Sequence, residues 1–253
     1  MSGQRKNSGE HRLDIHTAGI PVLCQACEAR HRGVCGALLP DQLSYLAKHT
    51  TKHVYESQEE IVSADEDIHQ FSNILSGVVK LTKLLADGRK QIVGLQFAPD
   101  FLGRPFKRQS DISAEASTDV RVCSFPKSVL EDLIEQSPGL KHRLHEQALN
   151  ELDDARDWLL ALGRKKASEK VASFLHMIAV NIDPENEVNE KAPVEFELPL
   201  KRAEIADFLG LTIETVSRQI TRLRKAGIIE LVNNRVIRVP SLSRLHAAAE
   251  EEH

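Results

Sequence analysis

The stretch from Lys201 to Lys225 constrains the fold more than any other part of the chain. It reads as two short helices around Gly210, with Ile205, Phe208 and Leu209 on one buried face and Val216, Ile220 and Leu223 on the other. Glycine permits the tight turn between them, and Thr212 stands where a hydroxyl can cap the second helix. Two helices so joined form a helix-turn-helix, whose second helix enters the major groove of DNA by its N-terminal end. Glu214, Ser217 and Arg218 then lie on the outward face at that end. Arginine can fork onto guanine O6 and N7, glutamate can accept from cytosine N4, and serine serves a base or a phosphate. Glu214 and Arg218 are four residues apart, a spacing that predicts an ion pair along the helix.

Charge distribution agrees with this reading. Between Lys201 and Arg238 eight basic residues face four acidic ones, a net charge of +4 inside a chain whose formal charge is -4. That local excess is the electrostatic footprint of phosphate contact. Ile228 to Val232 and Arg235 to Val239, turned at Asn233-Asn234, predict a hairpin wing beside the two helices. The residues beyond it, 241–253, read as a tail.

Upstream, Ser137-Pro138 is a helix start, with serine as cap and proline at the first helical position. The helix is expected to run to about Leu162. Ala148, Leu152, Ala155, Leu159 and Leu162 recur at spacings of four and three, a short heptad seam that predicts a dimer interface. Before it, short alternating segments point to a β-roll or jelly roll: Ile61-Val62, Phe71 to Leu75, Val78 to Leu85, Gln91 to Phe97 and Val120 to Ser124. Asp87-Gly88 marks a hairpin turn that needs positive φ.

Three of the four cysteines stand near the front of the chain as Cys24-x2-Cys27-x7-Cys35, and the fourth is Cys123. Four soft ligands suit a tetrahedral metal or an iron–sulfur cluster, and ligand chemistry alone leaves structural zinc and Fe–S both open. Gly33 would help the loop turn. Cys123 has to be delivered by the fold: if Val120 and Val122 face the core, it faces the other way, toward the N-terminal loop.

The expected organisation is α+β: a tail over 1–22, the cysteine loop over 23–36 and a β-roll sensor domain over 37–125. A dimerisation helix region over 126–163, a winged helix-turn-helix over 164–240 and a tail over 241–253 complete it. The polar N-terminus lacks the apolar core of a signal peptide and no apolar run is long enough to cross a bilayer, so a soluble cytoplasmic protein is expected. No nucleotide-binding glycine loop and no nucleophile with a spaced partner set is visible, so no enzyme is read.

This order of elements resembles the CRP/FNR superfamily of bacterial transcription regulators over nearly the whole chain. The cysteine run with Cys123 and the Glu214-x-x-Ser217-Arg218 signature are similar to the FNR branch, in its FnrL/FnrN-like variant. The resemblance implies an oxygen-labile 4Fe-4S cluster held by Cys24, Cys27, Cys35 and Cys123. It implies control of anaerobic or microaerobic genes by a homodimer on a palindrome with TTGAT half-sites, with RNA polymerase as second protein partner. Cyclic-nucleotide-binding relatives carry Gly-Glu and Arg-Ser pairs in the roll. Here Gly103 precedes Arg104-Pro105 and Arg108 precedes Gln109-Ser110, so no cyclic nucleotide is expected. Two other readings of the thiols stand beside the oxygen sensor: a DNA-binding regulator with structural zinc, and an Fe–S electron-transfer protein.

Overall fold

Period-two alternation builds the first half of the molecule. The computed structural model describes residues 19–182, 193–233 and 235–250. Of the tail expected over 1–22, residues 1–18 lie outside these, as do residues 183–192, 234 and 251–253. Two turns of helix, α1 (Val22–Gln25) and α2 (Glu28–His31), and a 3-10 turn over Val34–Ala37 lead into α3 (Pro40–Lys48). Eight strands follow: β1 (Thr51–Tyr55), β2 (Glu60–Val62), β3 (Gln70–Ser76), β4 (Val78–Leu84), β5 (Lys90–Phe97), β6 (Phe101–Leu102), β7 (Ser113–Ala116) and β8 (Val120–Pro126). They form two antiparallel four-stranded sheets, ordered β1-β8-β3-β6 and β2-β7-β4-β5. Between the sheets lie Ile74, Val79, Ala116, Val120 and Val122, each essentially without exposure. Gly88, at φ 86°, turns β4 into β5 as the Asp-Gly pair predicts.

The other face of the first sheet is aromatic. Phe71, Phe101 and Phe125 pack with ring centroids 5.5 and 6.3 Å apart, and α4 (Lys127–Gln136) and the start of α5 (Pro138–Arg164) close over them through Leu130, Ile134 and Leu140. Burying each phenylalanine contributes about 1.5–3 kcal/mol. Register places Asn73 opposite Cys123 and Phe71 opposite Phe125, so Cys123 shares this outer face while Val122 points inward. The Ser137 side chain caps α5 by accepting from the Leu140 N–H at 3.3 Å.

The second half is helical with a small sheet. Helix α6 (Ala167–Asn181) precedes β9 (Val194–Glu197), α7 (Arg202–Leu209), α8 (Ile213–Lys225), β10 (Glu230–Leu231), β11 (Val236–Val239) and α9 (Leu242–Ala249). Two of these differ from the expectation. β9 pairs with β11 to make the wing three-stranded, its Val194 and Phe196 buried and its glutamates exposed. The expected C-terminal tail contains α9, which is capped by Ser241 and lays Leu245 and Ala249 against α6.

One half-buried acid gives this fold a pH signature. Asp100 Oδ2 accepts from the Phe97 N–H at 2.9 Å and so pins the β5–β6 turn. Burial, reinforced by the charge of Asp154, pushes its carboxyl up to about 6, against the pull of that hydrogen bond. Glu151, on α5, is also raised, by burial first and then by Asp100, and burial with Asp157 and Asp153 raises Asp154. Because the folded chain holds the Asp100 proton more tightly than the unfolded chain, its stabilising contribution is complete below about pH 4 and is lost as pH rises through about 6. Asp100→Asn is expected to unfold at higher denaturant than the parent at pH 7, by about 1–3 kcal/mol, with the gap closing toward pH 4. Paired denaturant titrations at the two pH values check this.

Candidate DNA-reading face and cysteine pocket

The reading helix is set by three local devices. Gly210 ends α7 in the left-handed region at φ 62°, which side-chain-bearing residues seldom adopt. Thr212 Oγ1 accepts from the Thr215 N–H at 3.2 Å and starts α8. Val216, Ile220 and Leu223 then bury the inner face, leaving Glu214, Ser217 and Arg218 exposed on the outer one. The expected Glu214–Arg218 pair does not occur among the described residues. Arg218 Nη2 reaches Thr215 Oγ1 at 3.4 Å instead, and hydrogen bonds from its own backbone and from Thr212 hold the Glu214 carboxyl below its ordinary range. Both charged groups therefore remain available to an outside partner.

Around them the surface is cationic. Ser217, Arg218, Thr221, Arg222 and Lys225 line one open groove. Among the described residues no carboxylate pairs with Arg218, Arg222, Arg224 or Lys225, whereas the wing cations Arg235 and Arg238 are matched by Glu197 and Glu230 at 2.9 and 3.8 Å. The unmatched charge thus concentrates on α8. The groove residues Thr221, Arg222 and Lys225 extend the reading face by one and two helical turns beyond what the sequence singled out.

The seam residues follow the same logic of exposure. On α5, Ala148, Leu152 and Ala155 are exposed, Leu159 is 72% exposed and Leu162 is half-buried. The side of α5 that faces its own chain instead uses Leu140, Ala161 and Trp158.

All four cysteines reach the wall of one small cavity, together with Arg30, Lys52 and Asn73. They are free thiols. Gly33 is needed there for close approach, since a Cβ would meet the Ala29 carbonyl at 2.8 Å. Cys35 is pushed up to about 12, by burial first and then by Cys123, although Asn73 Nδ2 donates to its sulfur at 3.2 Å and draws it down. Cys123 is pushed up to about 11 by burial and then by Cys27 and Cys24, and burial with Cys27 raises Cys24.

Sharing a cavity wall is not a coordination shell, and the expected 4Fe-4S site is corrected on this point. Among the described residues no group of three or more Cys, His, Asp or Glu side chains is placed to hold a metal ion. The physical reasons are local. The cavity has about 20 Å³ of space, room for a single water rather than a cluster, and sharing its wall does not turn the four sulfurs onto one centre. Cys24, Cys27, Cys35 and Cys123 therefore do not fit iron–sulfur or zinc as they stand. The oxygen-sensing, metal-binding and electron-transfer readings, which rested on that site, fall with it.

Comparison with known proteins matches the architecture. Residues 169–248 match the Crp-like helix-turn-helix domain and residues 52–137 the cyclic nucleotide-binding domain. The chain is 53% identical to a "Probable transcriptional activator" of Rhizobium leguminosarum bv. viciae, over 92% of this chain and 96% of that one. It is 37% identical to the transcriptional activator protein FnrL of Cereibacter sphaeroides, over 88% and 90%. The structure of FixK2 from Bradyrhizobium japonicum superposes with a TM-score of 0.69 at 32% identity, over 81% of this chain and 99% of that one. Proteins of this kind bind DNA and are not enzymes, and among the described residues no helix is long and apolar enough to cross a membrane. With the roll, the long helix and the winged helix-turn-helix in this order, the chain belongs to the CRP/FNR superfamily of transcription regulators, among its FNR-type, FnrL/FixK-like members.

Proposed function

We propose that this regulator binds palindromic DNA as a homodimer, with Glu214, Ser217 and Arg218 of each protomer reading base edges. The observation that carries the reading is the face of α8, where these three side chains stand exposed beside Arg222, Arg224 and Lys225, which among the described residues have no carboxylate partner. Arg222 and Lys225, one and two turns along, are placed for phosphate while Arg218 takes a guanine. Ala148, Leu152, Ala155, Leu159 and Leu162 supply the contact between protomers, a role supported by the exposure of the first four within the chain. RNA polymerase is the second protein partner, a reading supported by the activator names of the relatives.

The regulator acts without a cyclic nucleotide. In support, the roll cavity of about 260 Å³ is lined by three carboxylates, Glu66, Asp67 and Glu151, which repel a phosphodiester. Its one guanidinium, Arg104, is paired with Asp111 at 2.9 Å.

Arg218→Ala tests the reading face. Fluorescence anisotropy with a duplex carrying the TTGAT palindrome is expected to show a loss of about 1–3 kcal/mol and relaxed choice at one base pair of each half-site. An affinity and base preference equal to those of the parent would place recognition elsewhere.

A further inference from the structure

The helix-turn-helix does not hang freely from the long helix; it is docked on the β-roll of its own chain. Lys80, in the middle of β4, points its Nζ at Glu204 Oε1 of α7 and at Glu115 Oε1 of β7, 2.6 Å from each. Lys80 is 7% exposed, and Glu115 is its register partner in the neighbouring strand. The second oxygen of Glu204 accepts from the Lys201 N–H at 2.9 Å, at the start of α7. One carboxylate thus holds both the first turn of the helix-turn-helix and the roll. Ser117 Oγ donates to the Pro199 carbonyl at 2.6 Å, and Gln91 Nε2 donates to the Asp207 carbonyl at 3.1 Å. Val78, Ile92 and Phe97 of the roll join the apolar core of the DNA-binding half.

Ionisation suits a lasting contact. Burial alone would lower the Lys80 ammonium, but hydrogen bonds and charge from Glu115 and Glu204 outweigh it and raise the group. Burial likewise opposes the Glu204 charge, and Lys80 with the Lys201 N–H brings its carboxyl below the ordinary range. The contact does not cover the reading face, since Glu214, Ser217 and Arg218 stay exposed. It therefore orients α7, and through the α7–α8 packing the reading helix, rather than blocking it.

We propose that Lys80 is a positioning residue for DNA recognition, a latch to Glu204 that fixes the tilt of the helix-turn-helix on the roll and so the separation of the two reading helices. This rests on the homodimer reading above. A dimer with rigidly held reading helices measures the distance between half-sites, because each added base pair rotates the second site by about one-tenth of a turn. Loosening the latch lowers the effective concentration of the second helix at its site and blurs that measurement.

The test uses the full chain with Lys80→Met and the conservative Lys80→Arg, both checked for folding by circular dichroism. Three duplexes serve as probes: the palindrome, the palindrome lengthened by one base pair, and a single half-site. Lys80→Met is expected to bind the single half-site as the parent does, to lose about tenfold on the palindrome, and to show a smaller penalty for the added base pair, as reduced effective concentration requires. Lys80→Arg restores both. Hydrogen exchange adds a readout that needs no dimer: amides of 78–81 and 200–205 exchange faster in Lys80→Met, and those of the α8 core do not. Lys80→Met with the palindrome affinity and spacing penalty of the parent overturns the latch, as does unchanged exchange. A parent with no spacing penalty overturns the homodimer reading instead, and exchange then decides the latch alone.

Discussion

Leu159→Glu is expected to leave a folded chain that no longer assembles in pairs and to weaken binding to the palindrome by about 10²–10⁴, the gain that joining two sites ordinarily brings. Leu159 is 72% exposed within the chain, so the new carboxylate meets water there and costs the monomer little. Across a two-fold seam the same residue meets its own copy or a near neighbour, and two carboxylates would be buried against one another without a counter-charge. Asp153 and Asp157 already flank this stretch of α5 and add to the repulsion. Sedimentation and anisotropy on the same sample separate the two effects. A Leu159→Glu protein that remains a dimer with full affinity would remove α5 from the interface.

Phe208→Ala is expected to cost about 3–5 kcal/mol and to melt the DNA-binding half. Phe208 is 2% exposed on α7, with the Trp158 ring of α5 at 4.7 Å and the Phe174 ring of α6 at 6.0 Å. Removing the ring leaves a void between three helices that cannot all close onto it, because α7 is also held by the roll through Lys80. Denaturant unfolding followed by Trp158 fluorescence reports the loss at its source, since this is the only tryptophan in the chain. A cost under about 1 kcal/mol would mean that the three rings do not carry the junction between the long helix and the reading half.

What the sequence could show follows from how far apart the interacting residues lie. The helix-turn-helix was legible because its determinants are contiguous: a positive-φ glycine at 210, a capping threonine at 212 and a buried stripe at helical spacing. The same holds for the Asp87-Gly88 hairpin and for the start of α5 at Ser137-Pro138. Two short elements escaped for a local reason. β9 alternates Val-Glu-Phe-Glu, a readable strand pattern, but only four residues long and beside an acidic stretch. α9 has a serine cap and an apolar stripe, masked by an Ala- and Glu-rich end that resembles a tail.

The cysteines mark the boundary most sharply. Period-two geometry alone put Cys123 on the face opposite Val122, and the strand carries it there, on the face shared with Asn73 and Phe125. Whether four sulfurs that meet at one cavity form a coordination shell depends on space, orientation and ionisation at the atomic level, and spacing along the chain encodes none of these. The Lys80–Glu204 contact spans 124 residues and carries no signal in either segment, because an ion pair is a property of two side chains' positions and not of their neighbours in sequence. By itself, then, the sequence determined the elements, their order and the outward chemistry of α8, since these follow from short-range sterics and periodic burial. Only the tertiary structure decided how the reading half sits on the roll and what the thiols can hold, since both depend on distances that exist only once the chain has closed on itself.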